Sequence, residues 1–191
     1  MKNSIFKIFN RKSPVCPWWL CFTFDNPFRK ILQNPFKILI PFVKAGYSVL
    51  DIGPGMGYFT FPLSKIVGAA GRVVALDIQE GMIRRLEKKL IKRHISNVET
   101  KLYDGNSFPL KGKFDFILLF WMYHEVDNKD AFIDGIKAVV KKNSLLLIAE
   151  PKFHVNKSSF DNSIRLFTDK GFKVTVKPQI PFSRSVVLKK T

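Results

Sequence analysis

Cysteine, histidine and long apolar runs are all scarce in this chain, and each scarcity excludes something. Cys16 and Cys21 are the two cysteines in 191 residues, so no disulfide framework is implied. A reduced, intracellular and cytoplasmic setting is the expectation. Four metal ligands at standard spacing are missing, so no metal site is expected. No apolar run reaches the length of about 18 residues that a membrane-spanning helix needs. The opening Met1–Phe9 is broken by Lys7 and then by Asn10-Arg11-Lys12, short of a usable signal peptide. Arginine is sparse, no internal repeat or low-complexity tract is present, and no long block of consecutive basic residues occurs. Even so, 32 basic residues face 15 acidic ones, a formal net charge of +17. Nucleic acid and an anionic membrane surface are therefore candidate partners. The spread of lysines along the whole chain favours a surplus that is only compositional.

Apolar residues, by contrast, make up 46% of the chain, enough for one well-buried core and too few for two. Residues 1–45 form a distinct N-terminal segment with five prolines (Pro14, Pro17, Pro27, Pro35, Pro41) and an aromatic cluster at Trp18, Trp19, Phe22 and Phe24. Prolines at this density forbid one long helix. Short helices over 26–33 and 35–43 fit instead. From residue 46 onward, apolar runs alternate with amphipathic stretches. Strands are predicted at Tyr47–Ile52, Arg72–Asp77, Val98–Tyr103, Phe114–Trp121 and Leu145–Glu150. Helices are predicted over 58–68, 80–94, 128–142 and 156–171. The second of these places Met82, Ile83, Leu86 and Leu90 on one side. Phe172–Lys177 and Ser185–Lys189, joined by a Pro-containing turn, read as a closing antiparallel hairpin. The expected fold is α/β: a doubly wound, mostly parallel sheet of seven strands with helices on both faces and a C-terminal antiparallel hairpin.

The first strand runs into Asp51-Ile52-Gly53-Pro54-Gly55-Met56-Gly57. A strand that ends in glycines and feeds a helix makes a ligand site, because glycines let a ligand approach the backbone and the helix start offers free amides. Dinucleotide-binding turns follow G-x-G-x-x-G, whereas these glycines alternate as G-x-G-x-G. An acid stands two positions before the first glycine, and a second acid, Asp77, closes the second strand.

These residues resemble the class I S-adenosylmethionine (SAM)-dependent methyltransferases, whose fold is Rossmann-like. Val49–Gly57 is similar to that family's first motif and Val74–Asp77 to its second. Tyr103–Leu110 is similar to the stretch after the third strand, and Phe114–Ile117 with Trp121–Val126 to the fourth strand and its following loop. The resemblance covers residues 36 to 188. It implies that Gly53, Gly55 and Gly57 pass close to the methionine part of SAM, with Asp51 holding its ammonium end. It implies further that Asp77 takes the ribose hydroxyls beside Ile78, and that Asp104, next to Gly105, accepts from the adenine amino group. Trp121 is counted with these cofactor contacts. The family's frequent Pro-Gly-Gly turn before the fifth strand is replaced here by Lys142-Asn143-Ser144.

Methyl transfer needs alignment, exclusion of water and removal of a proton when the nucleophile carries one. The loop after the fourth strand holds Trp121-Met122-Tyr123-His124-Glu125. His124 is the expected base, since its ordinary pKa suits neutral pH. Glu125 is expected to orient it or to bind a cationic substrate, and Tyr123 to stack on a substrate or donate a hydrogen bond. His154, after the fifth strand, is a second candidate on the same rim. Tyr58, Trp18 and Trp19 join it as expected substrate contacts, with residues 1–45 covering the site and residues 46–191 forming the SAM-binding domain. Two thiols at Cys16 and Cys21 suggest a soft-ion substrate such as arsenite, but the core holds no further cysteine. The amino-methylating enzymes' Asn/Asp-Pro-Pro-aromatic tetrapeptide is missing from the loop, and so is a Pro-Cys nucleophile. The expectation is a small-molecule methyltransferase, with a nucleic-acid methyltransferase or a non-catalytic SAM-binding protein as alternatives.

Overall fold

The computed structural model describes residues 32–105, 108, 110 and 112–191. The aromatic cluster from Trp18 to Phe24, both cysteines and most of the helix expected over 26–33 lie outside the described residues.

From residue 35 onward the described residues form five helices and seven strands in the expected alternation. α1 (Pro35–Leu39) leads to β1 (Ser48–Ile52), α2 (Thr60–Val67), β2 (Arg72–Asp77), α3 (Glu80–Lys92), β3 (Val98–Leu102) and β4 (Phe114–Phe120). A 3-10 turn at Tyr123–Glu125 precedes α4 (Lys129–Val139), β5 (Val140–Pro151), α5 (Lys157–Asp169), β6 (Phe172–Val176) and β7 (Ser183–Lys190). The strands form one sheet in the order β3-β2-β1-β4-β5-β7-β6. β7 runs antiparallel to both its neighbours, and every other pairing is parallel. β7 is therefore inserted between β5 and β6, so the closing hairpin extends the sheet past β5 and leaves β6 as the edge strand.

Successive side chains of a strand point to opposite faces. Leu50, Ile52, Ile117, Leu119, Leu146 and Ile148 meet α4 and α5 on one face. Val49, Phe116, Leu118 and Leu147 meet α1 and α2 on the other. Both faces are covered, which is why β1 and β4 are apolar apart from Ser48, Asp51 and Asp115.

Helix ends differ most from expectation, and the helix predicted over 35–43 stops at Leu39. The helix predicted over 128–142 stops at Val139, and Val140 already pairs with Phe114 as the first residue of β5. Val139 and Val140 are both buried, so the apolar pattern continued while the backbone changed from helical to extended. β-branched residues are stiff at χ1 and favour strands, which allows that change. Asn143, in the segment that replaces Pro-Gly-Gly, takes a left-handed φ of 67° within this irregular start.

Candidate active site

Strand order reverses between β1 and β4, and in open α/β sheets the ligand crevice opens at the carboxyl ends of the strands at such a point. The turn 53–59 after β1 and the loop 121–128 after β4 meet there. A Cβ added at Gly53 would stand 2.8 Å from the Met122 Cβ. Gly53 is thus needed because the two loops touch. Gly57 is packed in the same sense, against Phe61 and Leu86, whereas a Cβ at Gly55 would meet nothing within 4 Å among the described residues. Of the three glycines expected against the methionine part of a cofactor, Gly55 is the one whose missing side chain leaves open space.

Carboxylates ring this opening. Asp51, next to last in β1, is almost fully buried, and the Thr60 hydroxyl at the start of α2 donates to it at 2.7 Å. Burial pushes its pKa from the ordinary 3.8 to about 7; the Thr60 bond lowers it in part and the charge of Asp77 raises it further. Asp77 ends β2 and accepts from the Gln79 amide at 2.9 Å. Burial pushes it to about 6 against the backbone amides of Gln79, Ile78 and Gly55, and Glu125 adds repulsion. Glu125 therefore lies near enough for its charge to act on Asp77. Ile78 is half-buried beside it, and Asp104 and Gly105 are exposed past the end of β3.

A second carboxylate system lies behind the loop. Glu150, 1% exposed near the end of β5, accepts from the backbone amides of Tyr123 at 2.9 Å and His124 at 3.2 Å. Its second oxygen is also 2.5 Å from His124 Nδ1. A 3-10 turn starts with free amides, and a buried carboxylate from the adjacent strand satisfies them. Nδ1–H donating to Glu150 leaves Nε2 of His124 for a ligand. Burial alone would lower the His124 pKa; the hydrogen bond and charge of Glu150, with Glu125 adding, outweigh it and raise the pKa. The ring of His154 stacks on that of His124 at 5.9 Å and 10° between planes.

Two expectations are corrected. Glu150, and not Glu125, orients His124. Its sequence signal was available: an acid ending the apolar run Leu145–Ala149 stands where Asp51 and Asp77 stand in their strands. Thr60 was missed as well, since a hydroxyl nine residues after Asp51 carries no motif.

The structure also turns Tyr123 away from the crevice. It is fully buried, packing on Phe132 and Phe167 in the core under α4 and α5, and its hydroxyl has no hydrogen-bond partner among the described residues. Burial, then the charges of Asp130 and Glu150, push its pKa above the usual phenol range. The apolar pattern of loop 121–126 turned this ring inward when the 3-10 turn formed. An unsatisfied buried hydroxyl costs about 1–3 kcal/mol. Tyr123→Phe is therefore expected to raise the melting temperature, by a gain on the ~1 kcal/mol scale, while leaving activity within about twofold. Thermal denaturation and an activity assay check both; a large activity loss would restore a catalytic role.

The remaining expected contacts lie on the same rim but are engaged. Trp121 adopts φ 60°, uncommon for a bulky residue, and its Nε1 donates to Ser183 Oγ at 2.9 Å. Phe153 packs edge-on against Trp121 at 5.7 Å. The Tyr58 hydroxyl donates to the Gln33 carbonyl at 2.9 Å, and Gln33 Nε2 donates to Pro181 O at 2.6 Å. Tyr58 therefore ties the start of the described chain to the rim. Among the described residues no cluster of three or more His, Cys, Asp or Glu could hold a metal. No helix among them is long and apolar enough to cross a membrane.

A family model described as "Methyltransferase domain" matches residues 43–177. The Ubiquinone/menaquinone biosynthesis C-methyltransferase UbiE of Pseudomonas putida is 32% identical over 128 residues, covering 66% of this chain and 50% of that protein. The protein of the same name from Saccharophagus degradans is 36% identical over 121 residues, 62% of this chain and 49% of that one. The chain thus spans about half the length of these relatives. Among solved structures, that of a SAM dependent methyltransferase from Aquifex aeolicus is similar with a TM-score of 0.83 at 28% identity, covering 93% of this chain and 100% of that one.

Proposed function

The chain belongs to the class I SAM-dependent methyltransferases, and from that membership we propose that it methylates a small-molecule acceptor, with His124 taking the acceptor's proton. The observation that carries this reading is the His124–Glu150 pair at 2.5 Å, held at the switch point beside the Gly53–Gly57 turn.

The residues around the turn suit the cofactor. SAM brings an activated methyl on a cationic sulfur, an ammonium group and two ribose hydroxyls. Asp51 and Asp77 are buried carboxylates held partly protonated by their surroundings, and a cation or hydroxyl donor would relieve that cost. Gly55 leaves room for close approach. Asp51 would hold the ammonium end, Asp77 the ribose hydroxyls with Ile78 alongside, and Asp104 with Gly105 the adenine edge. Trp121 would close the crevice.

The chain's own work is then alignment and proton removal. Glu150 fixes the His124 ring from behind and favours Nε2 as the proton acceptor. Glu125 balances charge on the cofactor side. His154, stacked on His124, and the exposed Phe153 offer flat surfaces to a planar acceptor. The UbiE relatives are C-methyltransferases by name, and a carbon acceptor has a proton to lose after transfer, a task that fits the pair. A nucleic-acid acceptor is disfavoured, because Asp77, Glu125 and Asp104 would repel phosphates at the mouth. Product analysis with methyl-labelled SAM and a cell extract tests the reading. Label in a low-molecular-weight product is expected. Label only in nucleic acid or protein overturns the small-molecule reading, and SAM binding without any labelled product overturns the enzyme.

A further inference from the structure

Three acids and a row of lysines stand at opposite ends of the sheet. Asp51, Asp77 and Glu150 stand at or near the carboxyl ends of β1, β2 and β5. The other end, where β4, β5 and β6 begin and β7 stops, carries Lys113, Lys142, Lys173, Lys189 and Lys190, joined by Lys137 from the last turn of α4. β4, β5, β7 and β6 are neighbours in the sheet. The cations therefore step across four adjacent strands at about 4.8 Å per strand.

Part of this accumulation has a local cause. The Lys113 and Lys190 ammonium groups donate to the carbonyls of Ala138 and of Lys137 and Val140, where the end of α4 favours positive charge. Helix polarity does not account for the rest. Lys173 and Lys189 are direct cross-strand partners, an arrangement that destabilises a sheet. Burial, then repulsion from Lys113 and Lys137, lowers the pKa of Lys190. Among the described residues no ion pair neutralises Lys142, Lys173 or Lys189, whereas neighbouring Lys141 is paired with Asp115 at 2.7 Å.

We propose that this lysine edge docks the protein on an anionic bilayer surface. A row of lysines needs only negative headgroups opposite it. Nucleic acid asks for more: an element that enters a groove, or exposed aromatic rings on which bases stack. No exposed aromatic residue among the described residues belongs to the strand and helix ends that form this edge. The apolar side chain exposed beside Lys173 is the aliphatic Val174. Docked in this way, the crevice at the opposite end of the sheet opens to the aqueous phase, and its ligands enter from solution.

Co-sedimentation of the full chain with phosphatidylcholine vesicles, with and without phosphatidylglycerol, tests the proposal. Binding is expected only with phosphatidylglycerol and should weaken as salt rises. Each lysine near such a surface contributes about fivefold, so the triple variant Lys142→Gln, Lys173→Gln, Lys189→Gln should lower partitioning about 100-fold. An equally charged control, Lys37→Gln, Lys88→Gln, Lys152→Gln, should change it far less, with melting temperatures of both checked against the parent. No binding of the unmodified protein to anionic vesicles overturns the proposal without any variant. Equal losses in both triples overturn it too, by showing that net charge alone acts. So does an RNA homopolymer that binds the parent more tightly than the vesicles do and is lost with the edge triple. None of these readouts depends on methyl transfer.

Discussion

His124→Ala should lower kcat by about 10²–10⁴-fold, the range that a positioned general base supplies, with SAM affinity nearly unchanged. Nε2 is the proton acceptor in this reading, and nothing else in loop 121–128 replaces it: Tyr123 points into the core, and Glu125 is an acid on the cofactor side. The pH profile of kcat/KM carries a sharper signature. His124 must be neutral to accept a proton, and its pKa is raised once Glu150 and Glu125 outweigh burial. Activity should therefore rise with pH through a midpoint above the ordinary 6.5 of histidine. Glu150→Gln removes the charge and can no longer accept from all three donors. It should move that midpoint down and lower kcat together. A purely structural Glu150 would leave the midpoint where it is. Unchanged kcat in His124→Ala would remove the base from the mechanism.

Asp77→Asn should weaken SAM binding about 100-fold, because hydrogen bonds to a charged acceptor contribute about 1.5–3 kcal/mol each and the amide offers weaker acceptance. The pH dependence follows from the same carboxylates. Burial holds Asp77 at about 6 and Asp51 at about 7, both above the ordinary 3.8. Holding an ammonium and two hydroxyls requires the ionised forms. SAM affinity should thus climb as pH rises through this range and level off above it, with protons released to the buffer on binding near neutrality. Calorimetry in buffers of different ionisation enthalpy measures that release. Stability without ligand runs the other way. Between the unfolded and folded pKa values the folded state holds more protons, so these two acids make the free protein less stable as pH rises from about 4 to about 7. The melting temperature shift produced by SAM should accordingly grow with pH. Affinity that is flat from acid to neutral pH would mean that neither carboxylate holds the ligand.

Legibility in the sequence varied with the physics behind each element. β1 and β4 announce themselves because strands covered on both faces must be largely apolar. The glycine turn is visible because Gly53 has to admit Met122 and because Gly55 faces open space. The end of α4 was not visible, since Val139 and Val140 continue an apolar pattern across a change of backbone. Tyr123 misled for a related reason: an aromatic in a site loop reads the same whether it turns toward the crevice or the core.

What the chain by itself determined is the alternation of strands and helices, the sheet that results, the turn after β1 and the acids at strand ends. Each of these rests on residues close together in sequence, where periodicity and backbone preference act. Only the tertiary structure decided which acid serves which partner. Glu150 is 26 residues from His124 along the chain yet 2.5 Å away, because β4 and β5 are neighbours in the sheet and both end at the same rim. The burial that lifts Asp51 and Asp77, the inward turn of Tyr123 and the lysine edge built from four strand ends likewise arise from elements brought together across long stretches of sequence, and no local pattern records them.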